Sequence, residues 1–211
     1  MWGTKHLDNM VDFNLIQIPE VITEQEAKDL IYYHRTHRHL CSTDNNPQYD
    51  GRKIQIENIR TQWIRDLIRR LEYMIISEVA QYGSKVFPEQ SEIVVQPVGA
   101  EISPHIDVYD TRIYPHLKEG PVHHVVPQSE WAAVLYLNGS GTDYKGGNLR
   151  FTPCEMIPMG FEYVPQAREI VVFQGMEFEH SVTKVYHGDR YTLPMWFTTD
   201  FKDIRPELPN P

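Results

Sequence analysis

The stretch HSVTKVYHGDRYTLPMWFT, at residues 180–198, contains two runs that are typical of β-strands. Residues 181–186 and 190–198 are rich in β-branched and aromatic side chains, which favour extended backbone. Between them, His187-Gly188-Asp189 is typical of a turn. This part of the chain is therefore predicted to form two strands of a β-sheet.

The length of that turn decides which side chains share a face of the sheet. If its three residues form a hairpin loop, Tyr186 pairs with Arg190 and His180 pairs with Trp196. Because successive side chains of a strand point to opposite faces, His180 and Arg190 then lie on the same face. A loop of two or four residues would place them on opposite faces. The three-residue loop thus predicts that an imidazole and a guanidinium meet on one side of the sheet.

Short runs of the same kind fill most of the chain after Pro88, separated by Gly, Pro and Asp. Several short strands with regular turn signals favour a β-sandwich or barrel. The stretch 110–130 has no clear periodicity, and long loops of this kind often bind ligands or act as lids. The further predicted strands are residues 93–98, 105–109, 131–137, 148–152 and 169–173.

The part of the chain before Pro88 is predicted to be helical. Thr23-Glu24-Gln25-Glu26 matches a capping box, and apolar residues follow it at helical spacing, so a helix is expected at about 24–36. A longer amphipathic helix is expected at about 58–82, and Gly83 is a plausible residue for its end.

These elements predict one domain that spans residues 1–211. We expect an α+β chain that is mainly β, with a helical part at about 1–88 and a β core at about 90–200. The helices should pack on one sheet, and a short proline-rich tail should follow the core. Residues 40–53 are turn-rich and are interpreted as a loop.

The composition is that of an ordinary globular domain. The chain has 211 residues, of which 41% are hydrophobic and 23% are charged, and its formal net charge is −9. This charge argues against a nucleic-acid binder and against binding to an anionic membrane. The sequence contains no run of 18 apolar residues and no signal-peptide pattern, and its two cysteines are too few for a disulfide framework, so a cytoplasmic protein is expected.

The tripeptide His105-Ile106-Asp107 places an imidazole and a carboxylate two residues apart. In a strand, both side chains point to the same face, as do two of the ligands in the 2-His-1-carboxylate site of non-haem Fe(II) oxygenases. Alone, this pattern also fits a His and an Asp on an exposed strand. His180 is the best candidate for a third ligand, and Arg190 offers a fork that binds a carboxylate through two hydrogen bonds. A dicarboxylate that chelates a metal at one end would satisfy Arg190 at the other.

The chain resembles the Fe(II)/2-oxoglutarate-dependent dioxygenases, and among them the prolyl 4-hydroxylase-like family. The resemblance extends over about residues 90–200, and the helical entry IPEVITEQEAKDL also looks like the start of such domains. The segments that carry it are His105-Ile106-Asp107, VLYLN at 134–138, GGNLRF at 146–151, HSV at 180–182, GDRY at 188–191 and Trp196-Phe197.

The resemblance implies a double-stranded β-helix, which is a jelly-roll or cupin-like sandwich with the metal between its sheets. It implies that His105, Asp107 and His180 bind Fe(II), and that Arg190 binds the distal carboxylate of 2-oxoglutarate. Tyr136 matches a tyrosine that donates its hydroxyl to the same carboxylate, although it could also be an ordinary core residue. Trp196 matches an aromatic residue of the active site on the last strand. The implied cofactors are Fe(II), 2-oxoglutarate and dioxygen, with ascorbate as the reductant.

The substrate branch stays open at this point. The family commonly has Gly-Gly-Glu-Thr where this chain has Gly146-Gly147-Asn148-Leu149, and the oxygen-sensing prolyl hydroxylases read Gly-Gly-x-Leu-Arg as here. Hydroxylation of peptidyl proline is the leading hypothesis. The alternatives are a hydroxylase of a free amino acid or another small molecule, and a non-catalytic cupin-like binding module. The sequence does not determine the oligomeric state, and Asp110, Arg112 and Tyr114 are weaker candidates for substrate contacts.

Overall fold

The computed structural model describes residues 13–42, 51–107, 130–202 and 204–206. Its β-strands form two antiparallel sheets, and its two α-helices pack on the larger sheet. In chain order the elements are β1 (Leu15–Ile18), α1 (Glu24–Thr36), a 3-10 helix (Arg38–Leu40), β2 (Lys53–Gln55), a 3-10 helix (Ile56–Asn58), α2 (Gln62–Ala80), β3 (Phe87–Gln96), β4 (Ile102–His105), β5 (Trp131–Tyr136), β6 (Leu149–Phe151), β7 (Phe161–Tyr163), β8 (Ile170–Phe173), β9 (His180–Val182) and β10 (Arg190–Thr198).

Both helices form where the sequence predicts them. At the start of α1 the Glu26 amide donates to Thr23 Oγ1 at 3.1 Å and the Thr23 amide donates to Glu26 Oε2 at 2.7 Å, which completes the capping box. Helix α2 is shorter than the predicted 58–82, because residues 56–58 form a separate 3-10 turn. After α2, Gly83 adopts a φ of +81° and its amide donates to Ala80 O. Within the described part of the chain, no helix has the length and apolar character needed to cross a membrane.

The larger sheet has six strands in the order β1-β8-β5-β10-β3-β2, and the smaller has four in the order β4-β9-β6-β7. All the strand pairs are antiparallel. A cavity lies between the sheets, with lining residues from both. This is the mainly β, two-sheet core that the sequence predicts.

Strand β10 supplies side chains to both faces of the larger sheet. Alternate residues of a strand point to opposite faces, so one set packs against the helices while the other lines the cavity between the sheets. The helix-facing set is 0–1% exposed. Its members are Tyr191, Leu193, Met195 and Phe197, whereas the cavity-facing set is Arg190, Thr192, Pro194 and Trp196.

The first part of the chain is not only helical, contrary to the prediction for residues 1–88. Strand β1 pairs with β8 at one edge of the larger sheet, and β2 pairs with β3 at the other. Each strand has only three or four residues, which is too short for period-2 alternation to distinguish it from loop. The predicted loop at residues 40–53 includes Lys53, which is the first residue of β2.

The predicted hairpin between residues 180 and 198 is wrong. Strand β9 pairs with β4 and β6 in the smaller sheet, whereas β10 pairs with β3 and β5 in the larger. The intervening segment crosses between the sheets, and it is held by bonds from the Tyr186 amide to Lys145 O and from the Lys145 amide to His187 O. His180 and Arg190 nevertheless line the same cavity, because each side chain points into the space between the sheets.

A buried ion pair attaches the end of the described chain to α2. Arg205 donates to both carboxylate oxygens of Glu72, at 2.7 and 2.9 Å. Ser91 of β3 donates to the same carboxylate at 2.8 Å. The side chains of Arg205 and Glu72 are only 9% and 4% exposed. The Glu72 carboxylate has therefore lost most of its hydration, and the bonds from Arg205 and Ser91 offset that loss.

We expect Arg205→Ala to lower the free energy of unfolding by roughly 3 kcal/mol, because it leaves the Glu72 charge buried without its cation. Arg150→Ala is the matched control. It removes an ion pair with Glu162 whose side chains are 57% and 40% exposed, and it should cost less than about 1 kcal/mol. Chemical denaturation of both variants measures the difference, and equal losses would contradict the expectation.

Candidate metal centre

Three side chains with metal-binding atoms meet between the two sheets. Strands β4 and β9 pair so that His105 lies directly opposite His180, and Asp107 follows two residues after His105. The Nε2 atoms of both imidazoles are 3.7 Å from Asp107 Oδ1. All three groups can supply a ligand atom within 4.8 Å of the others, which is a spacing that a single metal ion can bridge.

The backbone fixes both imidazole rings. His105 Nδ1 lies 2.9 Å from the carbonyl of Ser103, and His180 Nδ1 lies 2.9 Å from the carbonyl of Phe178. A carbonyl can only accept, so each Nδ1 carries the proton and each Nε2 presents its lone pair to the centre. Burial lowers the pKa of His180 to about 4, which keeps that ring neutral at neutral pH.

Asp107 is positioned by a glycine rather than by a strand. Residues 105–109 were predicted as one strand, but β4 ends at His105. The Asp107 amide instead donates to Gly175 O at 2.9 Å. A Cβ added at Gly175 would collide with Asp107 Oδ2, so only glycine leaves room for the carboxylate. This role of Gly175 depends on a contact between distant parts of the chain and is not visible in the sequence.

The cluster lacks a positive charge of its own. Asp107 is 6% exposed, and its Oδ2 atom has no hydrogen-bond partner among the described residues. A buried carboxylate with an unsatisfied oxygen is costly unless a cation lies beside it. Together with two imidazole lone pairs, this donor set suits a divalent transition metal with open coordination positions, as Fe(II) requires.

The cavity of about 90 Å³ reaches from this cluster to Arg190. Its walls come from both sheets, and most of them are apolar. Its apolar walls lower the local dielectric constant and so strengthen the electrostatic interactions made inside it. The apolar lining includes Val94, Val134, Leu149, Phe173, Val182 and Trp196.

Arg190 offers hydrogen-bond donors at the other end. It is 3% exposed, its Nη1 atom donates to Gln96 Oε1, and its Nε atom has no partner among the described residues. Its Cζ atom lies 5.1 Å from the centre of the Tyr136 ring. The Tyr136 hydroxyl is also without a partner in the described part of the chain, and burial raises the pKa of Tyr136, so it stays protonated. A guanidinium and a phenol with unused donors favour an anionic ligand such as a carboxylate.

Asn138 holds Arg190 in this position. Its Nδ2 atom donates to Asp189 O at 2.8 Å, and its Oδ1 atom accepts from the Tyr191 amide at 2.9 Å, so it binds the backbone on both sides of Arg190. Gly147 leaves space beneath the side chain, because an added Cβ would lie 2.7 Å from Arg190 Cδ. In the sequence, Asn138 and Gly147 only belonged to segments that resemble the family. The structure shows what each residue does for Arg190.

All six predicted site residues line this one cavity. His105, Asp107 and His180 lie at one end, and Arg190 and Tyr136 at the other. Trp196 is half-buried on the cavity side of β10, where it pairs with Ala132. The roles of Gln96, Asn138 and Gly175 were not predicted, because they depend on contacts between distant parts of the chain. The weaker candidates within the stretch 110–130 lie at positions 110, 112 and 114, outside the described residues.

Comparison with known proteins agrees with this arrangement. Residues 91–198 match the family model of the 2OG-Fe(II) oxygenase superfamily. Prolyl 3-hydroxylase 1 of Rattus norvegicus and that of Homo sapiens are each 39% identical over 72 residues, which is 34% of this chain. The matched segment covers only 10% and 9% of those proteins.

Solved structures share the fold. A prolyl-4-hydroxylase from Pseudomonas putida superposes with a TM-score of 0.61 at 17% identity, covering 89% of this chain and 94% of that one. A prolyl hydroxylase from Trichoplax adhaerens, in complex with a peptide fragment of hypoxia inducible factor, gives a TM-score of 0.62 at 15% identity, covering 90% and 84%. These likenesses confirm the predicted double-stranded β-helix.

We expect Gly175→Ala to weaken metal binding by about tenfold or more, since the new methyl group displaces the Asp107 carboxylate. Gly139→Ala is the matched control: its Cβ would meet mainly the Thr142 hydroxyl, which can rotate away. The dissociation constant for Fe(II) or Mn(II) is measured for both variants by calorimetric titration under anaerobic conditions. An unchanged affinity in Gly175→Ala would show that this glycine does not position Asp107.

Proposed function

The chain belongs to the 2OG-Fe(II) oxygenase superfamily, and on that basis we propose that it is a dioxygenase that hydroxylates a C–H bond of peptidyl proline. One observation carries the proposal. The same cavity holds a metal-type donor set at one end and an unsatisfied arginine and phenol at the other. A dicarboxylate such as 2-oxoglutarate can complete both ends at once.

His105, Asp107 and His180 are the proposed ligands of Fe(II). These three protein ligands would leave coordination positions open for 2-oxoglutarate and dioxygen. When bound, Fe(II), 2-oxoglutarate and dioxygen would supply the oxidation: one oxygen atom would enter 2-oxoglutarate, which becomes succinate and carbon dioxide, and the other would convert a substrate C–H to C–OH. The contribution of the chain is to orient these groups and to exclude water.

Arg190 and Tyr136 are the proposed binding residues for the distal carboxylate of 2-oxoglutarate. The guanidinium can donate two parallel hydrogen bonds to the carboxylate, and the Tyr136 hydroxyl can donate a third. Gln96 and Asn138 hold the arginine before the ligand arrives, so little freedom is lost on binding. The apolar walls keep these bonds in a medium where they are strong.

Peptidyl proline is the leading substrate because the similar proteins are prolyl hydroxylases. The curated relatives are prolyl 3-hydroxylases, and the structural neighbours include prolyl hydroxylases, one of them with a bound peptide. Trp196 is the proposed aromatic surface for the substrate, since it is half-buried on the cavity wall. A free amino acid is the second candidate, favoured by a charged side chain, Glu92, in that wall.

The test is release of succinate from 2-oxoglutarate with Fe(II) and ascorbate, with and without a proline-rich peptide. We expect the peptide to stimulate succinate release and to gain the mass of one oxygen atom. His180→Ala and Asp107→Ala should abolish both signals by removing a metal ligand. Peptide-independent succinate alone would favour a small-molecule substrate, and no succinate from iron-loaded protein would refute the proposed chemistry.

Arg190→Ala should raise the KM for 2-oxoglutarate by roughly tenfold to a hundredfold, because a hydrogen bond to a charged group contributes about 1.5–3 kcal/mol. Metal affinity should stay unchanged, since Arg190 lies at the far end of the cavity from the ligands. Arg150→Ala, which removes an exposed arginine of β6, is the matched control. A normal KM in Arg190→Ala would exclude this residue as the carboxylate partner.

A further inference from the structure

One charged side chain in the cavity wall takes no part in the proposed binding of the metal or of 2-oxoglutarate. Glu92 lies on β3, is 3% exposed and lines the cavity. Among the described lining residues, it is the one acidic side chain besides Asp107. Its neighbours in the same wall, Val94 and Val134, are apolar. The carboxylate is therefore an exception in a largely apolar surface.

The register of the sheet places Glu92 close to Trp196, away from the end of the cavity that holds Arg190. On β10, Thr192 pairs with Val94 and Met195 pairs with Ser91, so Glu92 is level with Pro194. The next cavity-facing residue of β10 in that direction is Trp196, which pairs with Ala132. A Cβ added at Gly175, beside Asp107, would lie 3.1 Å from the Ala132 Cβ atom, so this row adjoins the segment that positions Asp107. Glu92 is thus one row from it, whereas Arg190 lies at the opposite end of β10.

Glu92 forms an ion pair beside the cavity. Lys53 Nζ on the edge strand β2 is 3.6 Å from Glu92 Oε1, and Gln90 Nε2 donates to the same oxygen. Glu92 lines the cavity and Lys53 does not. Burial raises the pKa of Glu92, and the Lys53 charge opposes that rise. The Lys53 charge therefore favours the ionised carboxylate without fully offsetting the effect of burial, and a second cation in the cavity would favour the ionised form further.

The fold alone does not require this pair. A buried ion pair is generally no more stabilising than apolar residues of the same volume, because both ions lose their hydration. The positions beside it show that apolar side chains fit this wall. A charge kept at that cost, next to a reaction site, is well suited to recognise a ligand.

We propose that Glu92 determines specificity by accepting a hydrogen bond from a cationic nitrogen of the substrate, an ammonium or guanidinium group close to the C–H bond that reacts. This inference rests on the proposed function and adds a substrate class to it. A cation that enters an apolar cavity gains most from a charge-assisted bond to a carboxylate. An anionic group at the same place meets repulsion from Glu92. The net charge of −9 favours the approach of the same class of substrate.

The test compares peptides with a cationic, a neutral and an anionic side chain, Ac-Gly-Xaa-Pro-Xaa-Gly-NH2 with Xaa as lysine, norleucine or glutamate. A second series uses the free amino acids L-lysine, L-norleucine and L-glutamate. Binding is measured by calorimetry with Fe(II) and 2-oxoglutarate under anaerobic conditions, so it does not depend on turnover. We expect the wild type to bind the lysine member of at least one series about tenfold or more tightly than the glutamate member.

Glu92→Gln should reduce that preference to within about threefold while binding of Fe(II) and 2-oxoglutarate stays unchanged. Glu162→Gln, which removes an exposed carboxylate paired with Arg150, is the matched control and should keep the preference. If Glu92→Gln does not fold, the double variant Glu92→Gln/Lys53→Gln replaces it, since it removes both buried charges together.

The outcomes separate this inference from the proposed function. A wild type that fails to bind Fe(II) and 2-oxoglutarate refutes the proposed function. A wild type that binds both, yet shows no preference for the lysine members, or keeps its preference in Glu92→Gln, overturns the role of Glu92 alone. Loss of the preference in Glu92→Gln but not in Glu162→Gln establishes that role.

Discussion

The pairing of β4 with β9 is the constraint on which the site depends. It sets His105 opposite His180, so that two imidazoles from residues far apart in sequence share one face of the smaller sheet. A slip of one residue in this register would turn one ring away from the other. The carbonyls of Ser103 and Phe178 then orient the rings, and the space left by Gly175 admits the carboxylate of Asp107.

The two ends of the cavity are built from different sheets. The imidazoles come from the smaller sheet, whereas Arg190 and Tyr136 come from the larger. Each end carries polar atoms that are buried without a partner in the described residues, and their chemistry is complementary: an acceptor at Asp107, donors at Arg190 and Tyr136. Buried groups of this kind are costly in the folded chain, so the ligand that satisfies them also contributes to its stability.

The sequence predicted which residues meet in one cavity better than the path of the chain that brings them there. Residue types, spacing and resemblance predicted His105, Asp107, His180 and Arg190 as site residues, and the structure places all four around the same cavity. The pairing of residues 180–198 was predicted wrongly, since a turn of three residues is compatible with a hairpin and with a crossover between sheets. The crossover differs from the hairpin in its long-range contacts. Lys145 binds the backbone of Tyr186 and His187, and Gln96 pairs with Arg190.

Two other features escaped prediction for different reasons. Strands β1 and β2 are too short to show a period, and they exist because an edge of the large sheet is available to them. Gly175 and Asn138 act through contacts with Asp107 and with the backbone around Arg190, which no local pattern reveals. The start of α1, by contrast, follows from its capping box, which the sequence shows directly.

The two-sided character of β10 has a consequence for how such a chain can evolve. Its helix-facing residues carry the hydrophobic core, and its cavity-facing residues carry the site, so the two sets occupy different environments on one backbone. Mutations at Pro194 or Trp196 alter the cavity between the sheets without removing a core contact to α1 or α2. The strand can therefore accumulate changes in ligand preference while the selection for folding acts on its other side. A descendant with another substrate would need few compensating changes in the core.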